Sequence, residues 1–327
     1  MELSTSQNRT MTATAQVATG FGRAHAKAIL LGEHAVLHGS PALAVPVPRL
    51  GVTAVATRFP EPGATSVLLD GAVGAVPYPN EGLRQVADAL TAGDGGWRIE
   101  VLLRCEIPAG RGLGSSAACA RAAVLALADL LGRELDDRKL YELVQAAENV
   151  VHGRASGVDA ITTGADSPLL FENGTAEQVR IGFDGLFVIA DSGVAGQTKD
   201  AVRLVRNAFE QRPGTREQFV GTVSRLVRSA VRDLAEGNAA GFGRSMTECH
   251  AALRDIGVST TLIDAMADAA VAAGALGAKV SGGGLGGCLV ALVQRPEEAW
   301  WVSQAMCEAS AVRTWTVGAG RFGRDER

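Results

Sequence analysis

Lysine is the scarcest charged residue of this 327-residue chain: only Lys27, Lys139, Lys199 and Lys279 occur, and arginine supplies the rest of 31 basic side chains. Against 35 acidic residues this leaves a formal charge of -4, with no block of like sign. Nucleic acid and an anionic membrane are therefore excluded as expected partners. The five cysteines, Cys105, Cys119, Cys249, Cys288 and Cys307, lack Cys-x-x-Cys spacing. Neither a zinc site nor a disulfide framework is indicated, and a reducing, cytoplasmic location is expected. Long apolar runs are also missing, since the stretch from Ala117 to Leu131 is interrupted by Arg121 and Asp129 and falls short of a membrane span. The first twenty residues have neither a basic start nor an apolar core, so they do not read as a signal peptide. Residues 1–20 are expected to be a disordered leader, with Met11 as an alternative start.

What is present is enough chain for two domains, each with its own core. Apolar runs at Ala28–Leu31, Ala42–Val45 and Val52–Ala56 predict a hairpin or meander. Prolines and glycines break residues 60–80, where loops and one short strand at Ser66–Leu69 are expected. Leu83–Leu90 reads as a helix and Arg98–Cys105 as a strand, followed by helices to about Leu131 and from Asp136 to His152. Strands are expected at Leu169–Phe171, Gln178–Ile181 and Leu186–Ala190. Four helical patterns follow, and strand, glycine-rich loop, strand, helix and strand close the chain. The change of pattern places a boundary near Gly185, giving domains 21–185 and 186–327 of an α+β protein.

Two glycine-rich segments dominate: Pro108-Ala-Gly-Arg-Gly-Leu-Gly-Ser-Ser-Ala117 before an alanine-rich helix, and Lys279-Val-Ser-Gly-Gly-Gly-Leu-Gly-Gly-Cys288 before an apolar strand. A loop of this kind opening a helix offers unpaired N–H groups and a positive dipole end, which suit phosphate. Neither segment fits Gly-x-x-x-x-Gly-Lys-Ser/Thr, and a second helix stands where the dinucleotide fold needs a strand ending in an acid. Ser115 and Ser116 can be plain helix caps, yet a hydroxyl beside phosphate can also ligate Mg²⁺, which tilts the loop toward a phosphate site. Glu148 lies at the edge of the stripe Leu140, Leu143, Val144, Ala147 and Val151, where a half-buried carboxylate needs a partner, a neighbouring arginine being the plain reading. Asp159 follows in Ser156-Gly-Val-Asp159, as a turn residue or a functional acid. Lys27 and Lys279 fall inside these segments, where a compact point charge has uses that arginine does not reproduce.

Together these segments resemble the kinase family that has galactokinase, homoserine kinase, mevalonate kinase and phosphomevalonate kinase as members. The resemblance runs from about Arg23 to Val317 and rests on Lys27-Ala-Ile-Leu-Leu-Gly-Glu-His-Ala-Val-Leu-His-Gly39, on Glu148 with His152-Gly-Arg-Ala-Ser-Gly-Val-Asp159, and on the two glycine loops. The first two look like those of members that phosphorylate mevalonate, and the third loop looks bacterial in type. The resemblance implies an N-terminal domain of the ribosomal-protein-S5 type, a C-terminal ferredoxin-like domain and an active site in the cleft between them. It implies transfer of the ATP γ-phosphate to the 5-hydroxyl of mevalonate, with ATP and Mg²⁺ as cofactors. Gly110, Arg111, Gly112, Leu113, Gly114, Ser115, Ser116 and Ala117 would wrap the phosphates, and Gly282, Gly283 and Gly284 would close over them. Ser116 and Glu148 would hold Mg²⁺, Asp159 and Lys27 would be catalytic, and Glu33, His34, His152, Gly153 and Thr198 would surround the substrate. A homodimer is compatible with the family. Phosphomevalonate kinase and a non-catalytic sensor on the same fold are the alternatives, and retention of Lys27, Ser116, Glu148 and Asp159 together speaks against the sensor. Three positions depart from the family pattern: His25-Ala26 replaces Pro-Gly, Ala155 replaces Pro, and Leu285 replaces Gly.

Overall fold

The computed structural model describes residues 17–72 and 74–319. The apolar runs that open the described chain pair as two long antiparallel strands, β1 (Ala18–Leu31) and β2 (Ala42–Pro62), joined through a short 3-10 turn at Ala35–His38. β2 is long enough to serve two neighbours. Its second half pairs with β5 (Trp97–Cys105), and its first residues pair with β6 (Leu169–Glu172). With β3 (Thr65–Gly71), β4 (Gly74–Pro77) and β7 (Thr175–Gln178) these form a seven-stranded sheet. Helices α1 (Glu81–Thr91), α2 (Ser115–Leu130), α3 (Asp137–His152) and α4 (Val158–Thr162) belong to the same lobe.

The alanine richness of α2 has a packing cause. A Cβ at Gly22 would come within 2.0 Å of the Ala122 carbonyl oxygen, and one at Gly20 within 2.3 Å of the Ala126 carbonyl oxygen. Helix and strand backbones therefore touch, and only small residues permit that approach. The contact fixes α2, and with it the loop at its N-terminus, against the strand that carries Lys27.

The second lobe is built on β8 (Gly185–Asp191), β9 (Gly277–Ser281), β10 (Cys288–Val293) and β11 (Arg313–Ala319), all antiparallel in the order β11-β8-β10-β9. Helices α5 (Thr198–Gln211), α6 (Thr215–Glu236), α7 (Ala239–Asp255) and α8 (Thr261–Ala272) separate β8 from β9, and α9 (Pro296–Glu308) separates β10 from β11. A strand order of fourth, first, third, second with helical crossovers is the ferredoxin-like arrangement. One hydrophobic cluster runs through both lobes, from Leu30 and Leu43 in the first to Phe187, Phe242 and Val290 in the second.

Four expectations are corrected. Residues 1–16, with Met11, lie outside the described residues, but Ala18–Gly20 already belong to β1 because β2 is long enough to pair them with Ala56–Arg58. Residues 60–80 hold two strands, β3 and β4, where one was expected: β3 gains a parallel partner in β5, and Pro60 and Pro62 sit where the β2–β5 register slips. The strand expected at Gln178–Ile181 is β7, ending at Gln178, because Asn173 and Gly174 both take positive φ and turn the chain into a hairpin. α4 was not foreseen, since five residues are too few to show a helical period.

Candidate active site

The two glycine loops meet backbone to backbone at the junction of the lobes. Gly112 has φ of 74°, and a Cβ there would stand 2.7 Å from the Ser281 carbonyl oxygen. From the other side, a Cβ on Gly282 would stand 2.7 Å from the Gly112 Cα. Gly110 accepts the Gly196 N–H at 2.8 Å, and Arg111 reaches across to Asp191, Nε to Oδ1 2.8 Å. Arg111 is thus held against β8 of the second lobe. The side chains of Leu113 and Ala117 are buried in the core and leave only backbone for a ligand. Gly114 precedes α2 in the left-handed conformation, and no side chain caps the first turn, Ser115 to Ala117. An uncapped start of a sixteen-residue helix is a place for an anion.

Lys27 lies in β1 and is almost fully buried, yet its ammonium is satisfied: Nζ stands 2.9 Å from Asp159 Oδ1 and donates to the Gly112 carbonyl at 3.1 Å. One side chain therefore ties the acid of α4 to the first glycine loop. Gly157, left-handed with φ of 96°, starts α4 and turns Asp159 toward Lys27.

Glu148 sits a turn before the end of α3, where its Oε1 accepts the Ser116 hydroxyl at 2.5 Å. Burial pushes the Glu148 carboxyl up to about 7, against the lowering effect of that hydrogen bond. The nearest cationic candidate is His152, Nε2 to Oε2 3.5 Å, and burial in turn holds His152 below its ordinary value, toward the neutral form. A desolvated carboxylate without a committed cation, paired with a hydroxyl, is a hard-oxygen donor set that suits Mg²⁺. Among the described residues no group of three or more His, Cys, Asp or Glu gathers as a metal site. The remaining ligands would have to be phosphate and water, which is how Mg²⁺ is commonly held beside nucleotides.

Glu33 and His34 are held from the second lobe. Glu33 pairs with Lys279 in full burial, and burial raises its carboxyl above the ordinary value despite that lysine. Its Oε2 has no hydrogen-bond partner. His34 takes φ of 59° and its Nε2 lies 2.9 Å from the Gly283 carbonyl oxygen, while burial pushes the ring down to about 4, leaving it neutral. Ser281 completes the seam, its Oγ accepting the Ile29 N–H at 2.9 Å and donating to the Ile29 carbonyl at 3.1 Å.

A cavity of about 130 Å³ opens at this seam. Lys27, Glu148, His152 and Asp159 line it from the first lobe, and Thr198, Gly282 and Gly283 from the second. Glu33, His34 and Gly112 also reach it. Its size is below that of drug-sized ligand pockets and suits a small acceptor. Gly153 does not line it and caps α3, and Gly284 packs against Val258. Gln145, Arg154 and Ser156 line it without having been singled out as site residues. Asn80 was missed as well: its Nδ2 donates to Ser116 Oγ at 3.2 Å while its Oδ1 caps α1 through the Leu83 N–H at 2.9 Å.

Two of the family departures have local explanations. Ala155 carries an N–H that proline would lack, and Asn149 Oδ1 accepts it at 3.0 Å. Leu285, at φ of 56°, is held by its N–H to the Val258 carbonyl at 2.8 Å and packs against the core.

A cleft between two α+β lobes gathers an uncapped helix start, a hard-oxygen pair and a lysine–aspartate couple around one cavity, groups that phosphoryl transfer to a small acceptor would use. The chain belongs to the GHMP kinase family: the GHMP kinases N terminal domain matches residues 81–165 and the GHMP kinases C terminal matches residues 230–311. Membership implies ATP as phosphoryl donor. The chain is 31% identical to a mevalonate kinase of the archaeon Thermococcus onnurineus, over 86% of this chain and 91% of that one. In fold it is similar to L. major mevalonate kinase, solved in complex with R-mevalonate, at a TM-score of 0.79 and 23% identity over 92% of this chain and 96% of that one. It is also similar to a Streptococcus pneumoniae phosphomevalonate kinase, at 0.75 and 19% identity over 91% and 99%. The bacterial affinity expected from the third loop finds no support in the Thermococcus relative, which is archaeal. Among the described residues no helix is long and apolar enough to cross a membrane.

Proposed function

We propose that this chain transfers the γ-phosphate of ATP to the 5-hydroxyl of mevalonate, giving 5-phosphomevalonate and ADP, a step of the mevalonate route to isoprenoids. The observation that carries this reading is the Lys27 ammonium, shared between Asp159 and the Gly112 carbonyl inside a cavity of small-acceptor size. A carboxylate and a fixed positive charge next to the loop that would bind phosphate support this reading. The domains 21–185 and 186–327 would close on this point.

In phosphoryl transfer the protein holds the reactants in line and neutralises charge. The acceptor hydroxyl would lie against Asp159. As its oxygen bonds to phosphorus, the O–H bond breaks and the proton passes to the Asp159 carboxylate, while the bond to the leaving ADP oxygen opens. A carboxylate is a weak base for an alcohol, so the proton moves as the new bond forms and not before. Lys27 faces the charge that develops on the transferred group. The N–H groups of Ser115, Ser116 and Ala117 would receive the phosphates, and Ser116 and Glu148 would ligate Mg²⁺. When bound, Mg²⁺ supplies charge neutralisation on the phosphate oxygens. Glu33, His34, His152 and Thr198 would shape the acceptor pocket, with Gly282 and Gly283 closing its phosphate side.

An ADP-release assay on mevalonate, phosphomevalonate, galactose and homoserine tests the reading. Turnover is expected on mevalonate alone, with Asp159→Asn binding both substrates and losing at least about a hundredfold in kcat. Turnover on phosphomevalonate in its place, or an Asp159→Asn variant near the wild-type rate, would overturn it.

A further inference from the structure

The acceptor cavity contains a charge that the transfer chemistry leaves unused. Arg154, an exposed side chain one residue beyond the cap of α3, lines it. Among the described residues its guanidinium makes no ion pair and no hydrogen bond. The other charged groups of the lining are matched or shielded: Lys27 by Asp159 at 2.9 Å, Glu33 by Lys279, and Glu148 by the Ser116 hydroxyl at 2.5 Å. The cavity therefore presents one open positive group. Burial, then Arg216 and Arg154, hold His38 below its ordinary value, which puts Arg154 within electrostatic reach of the turn at Ala35–His38.

The remaining lining adds shape. Ile29, Val36, Leu37 and Val202 give the cavity an apolar wall. A hydroxyl site at Lys27 and Asp159, an apolar wall and an open guanidinium together match a short aliphatic hydroxy acid. The root of Arg154 is also fixed. Asn149 Oδ1 accepts the Ala155 N–H at 3.0 Å, and Gln145 Nε2 donates to the Ala155 carbonyl at 2.8 Å, so less order has to be imposed on binding.

We propose that Arg154 binds the carboxylate of the acceptor, and so sets the preference of this pocket for hydroxy acids over neutral polyols. The proposal rests on the reading of the chain as a kinase of mevalonate. An arginine–carboxylate pair is charge-assisted and frequently bidentate, which makes it selective as well as strong. The pair forms on binding and is kept through transfer, so its loss belongs in KM and not in kcat.

The test uses the full chain with mevalonate and with its carboxylate-free analogue, 3-methylpentane-1,3,5-triol. Arg154→Gln is expected to raise KM for mevalonate about tenfold or more, with kcat and the KM for ATP near wild type. On the triol, wild type and Arg154→Gln should behave alike. Arg154→Lys should recover part of the loss, since it restores charge without the fork. An Arg154→Gln variant with wild-type KM for mevalonate, or with an equal loss on the triol, overturns the assignment of Arg154 alone. A wild-type chain inactive on mevalonate overturns this proposal and the functional reading together.

Discussion

The burial of Glu148 bears on stability and, if the carboxylate holds Mg²⁺ as proposed, on metal affinity. Its carboxyl titrates near 7 in the fold against 4.5 for an ordinary glutamate, chiefly through burial. Without a cation, the folded state keeps a proton between those values that the unfolded chain has lost, so unfolding releases a proton. Stability then falls as pH rises through that window and levels off above it. Mg²⁺ held at Glu148, as proposed, would compete with the same proton. The Mg²⁺ requirement for turnover should be about tenfold higher near pH 6 than near pH 8, and Glu148→Gln should raise the requirement while flattening both this dependence and the metal-free melting profile. An unchanged Mg²⁺ titration in that variant would remove Glu148 from the metal site. At this scale Lys27, Ser116, Glu148 and Asp159 stand out in the sequence, because each lies in a segment whose glycines or apolar stripe already mark it. Asn80 does not stand out. Its contact with Ser116 is made across 36 residues of chain, and a lone asparagine before a helix reads as a cap, which it also is.

Elements reveal where local signals suffice. The end of α3 and the loop to α4 are held by Asn149, which accepts from both the Ala155 N–H and Gln145 Nε2. Asn149→Ala should cost about 1 kcal/mol in urea unfolding. Ala155→Pro should also destabilise the wild type, because it removes the donor, yet cost little more in the Asn149→Ala background, where the donor has already lost its acceptor. Equal losses in both backgrounds would show that the bond is not what holds the loop. The β6–β7 turn is legible in the sequence: Asn173-Gly174 between short strand patterns is a strong hairpin signal. β4 was not legible in the same sense, since all four of its residues are exposed and its partner β3 is itself held by β5.

Across the whole molecule, the seam between the lobes is fastened by Glu33 and Lys279, by Ser281 on Ile29 and by His34 on Gly283. Removing one member of a buried pair is worse than removing both. Lys279→Met should destabilise by about 3 kcal/mol or more near pH 8. The loss should shrink toward low pH, because the stranded Glu33, already raised by burial, regains a proton and becomes neutral. Glu33→Gln with Lys279→Met should recover much of the stability, as measured by denaturant titration at both pH values. What the sequence by itself determined is the local chemistry: glycine runs that must turn or approach closely, apolar stripes that must be buried, and acids and lysines at fixed offsets from them. Only the tertiary structure decided which of these meet. The pairing of Glu33 with Lys279 spans 246 positions, and that of Ser281 with Ile29 spans 252. No local period or motif encodes such a distance, because it is set by how β1 and β9 pack where one hydrophobic cluster runs through both lobes.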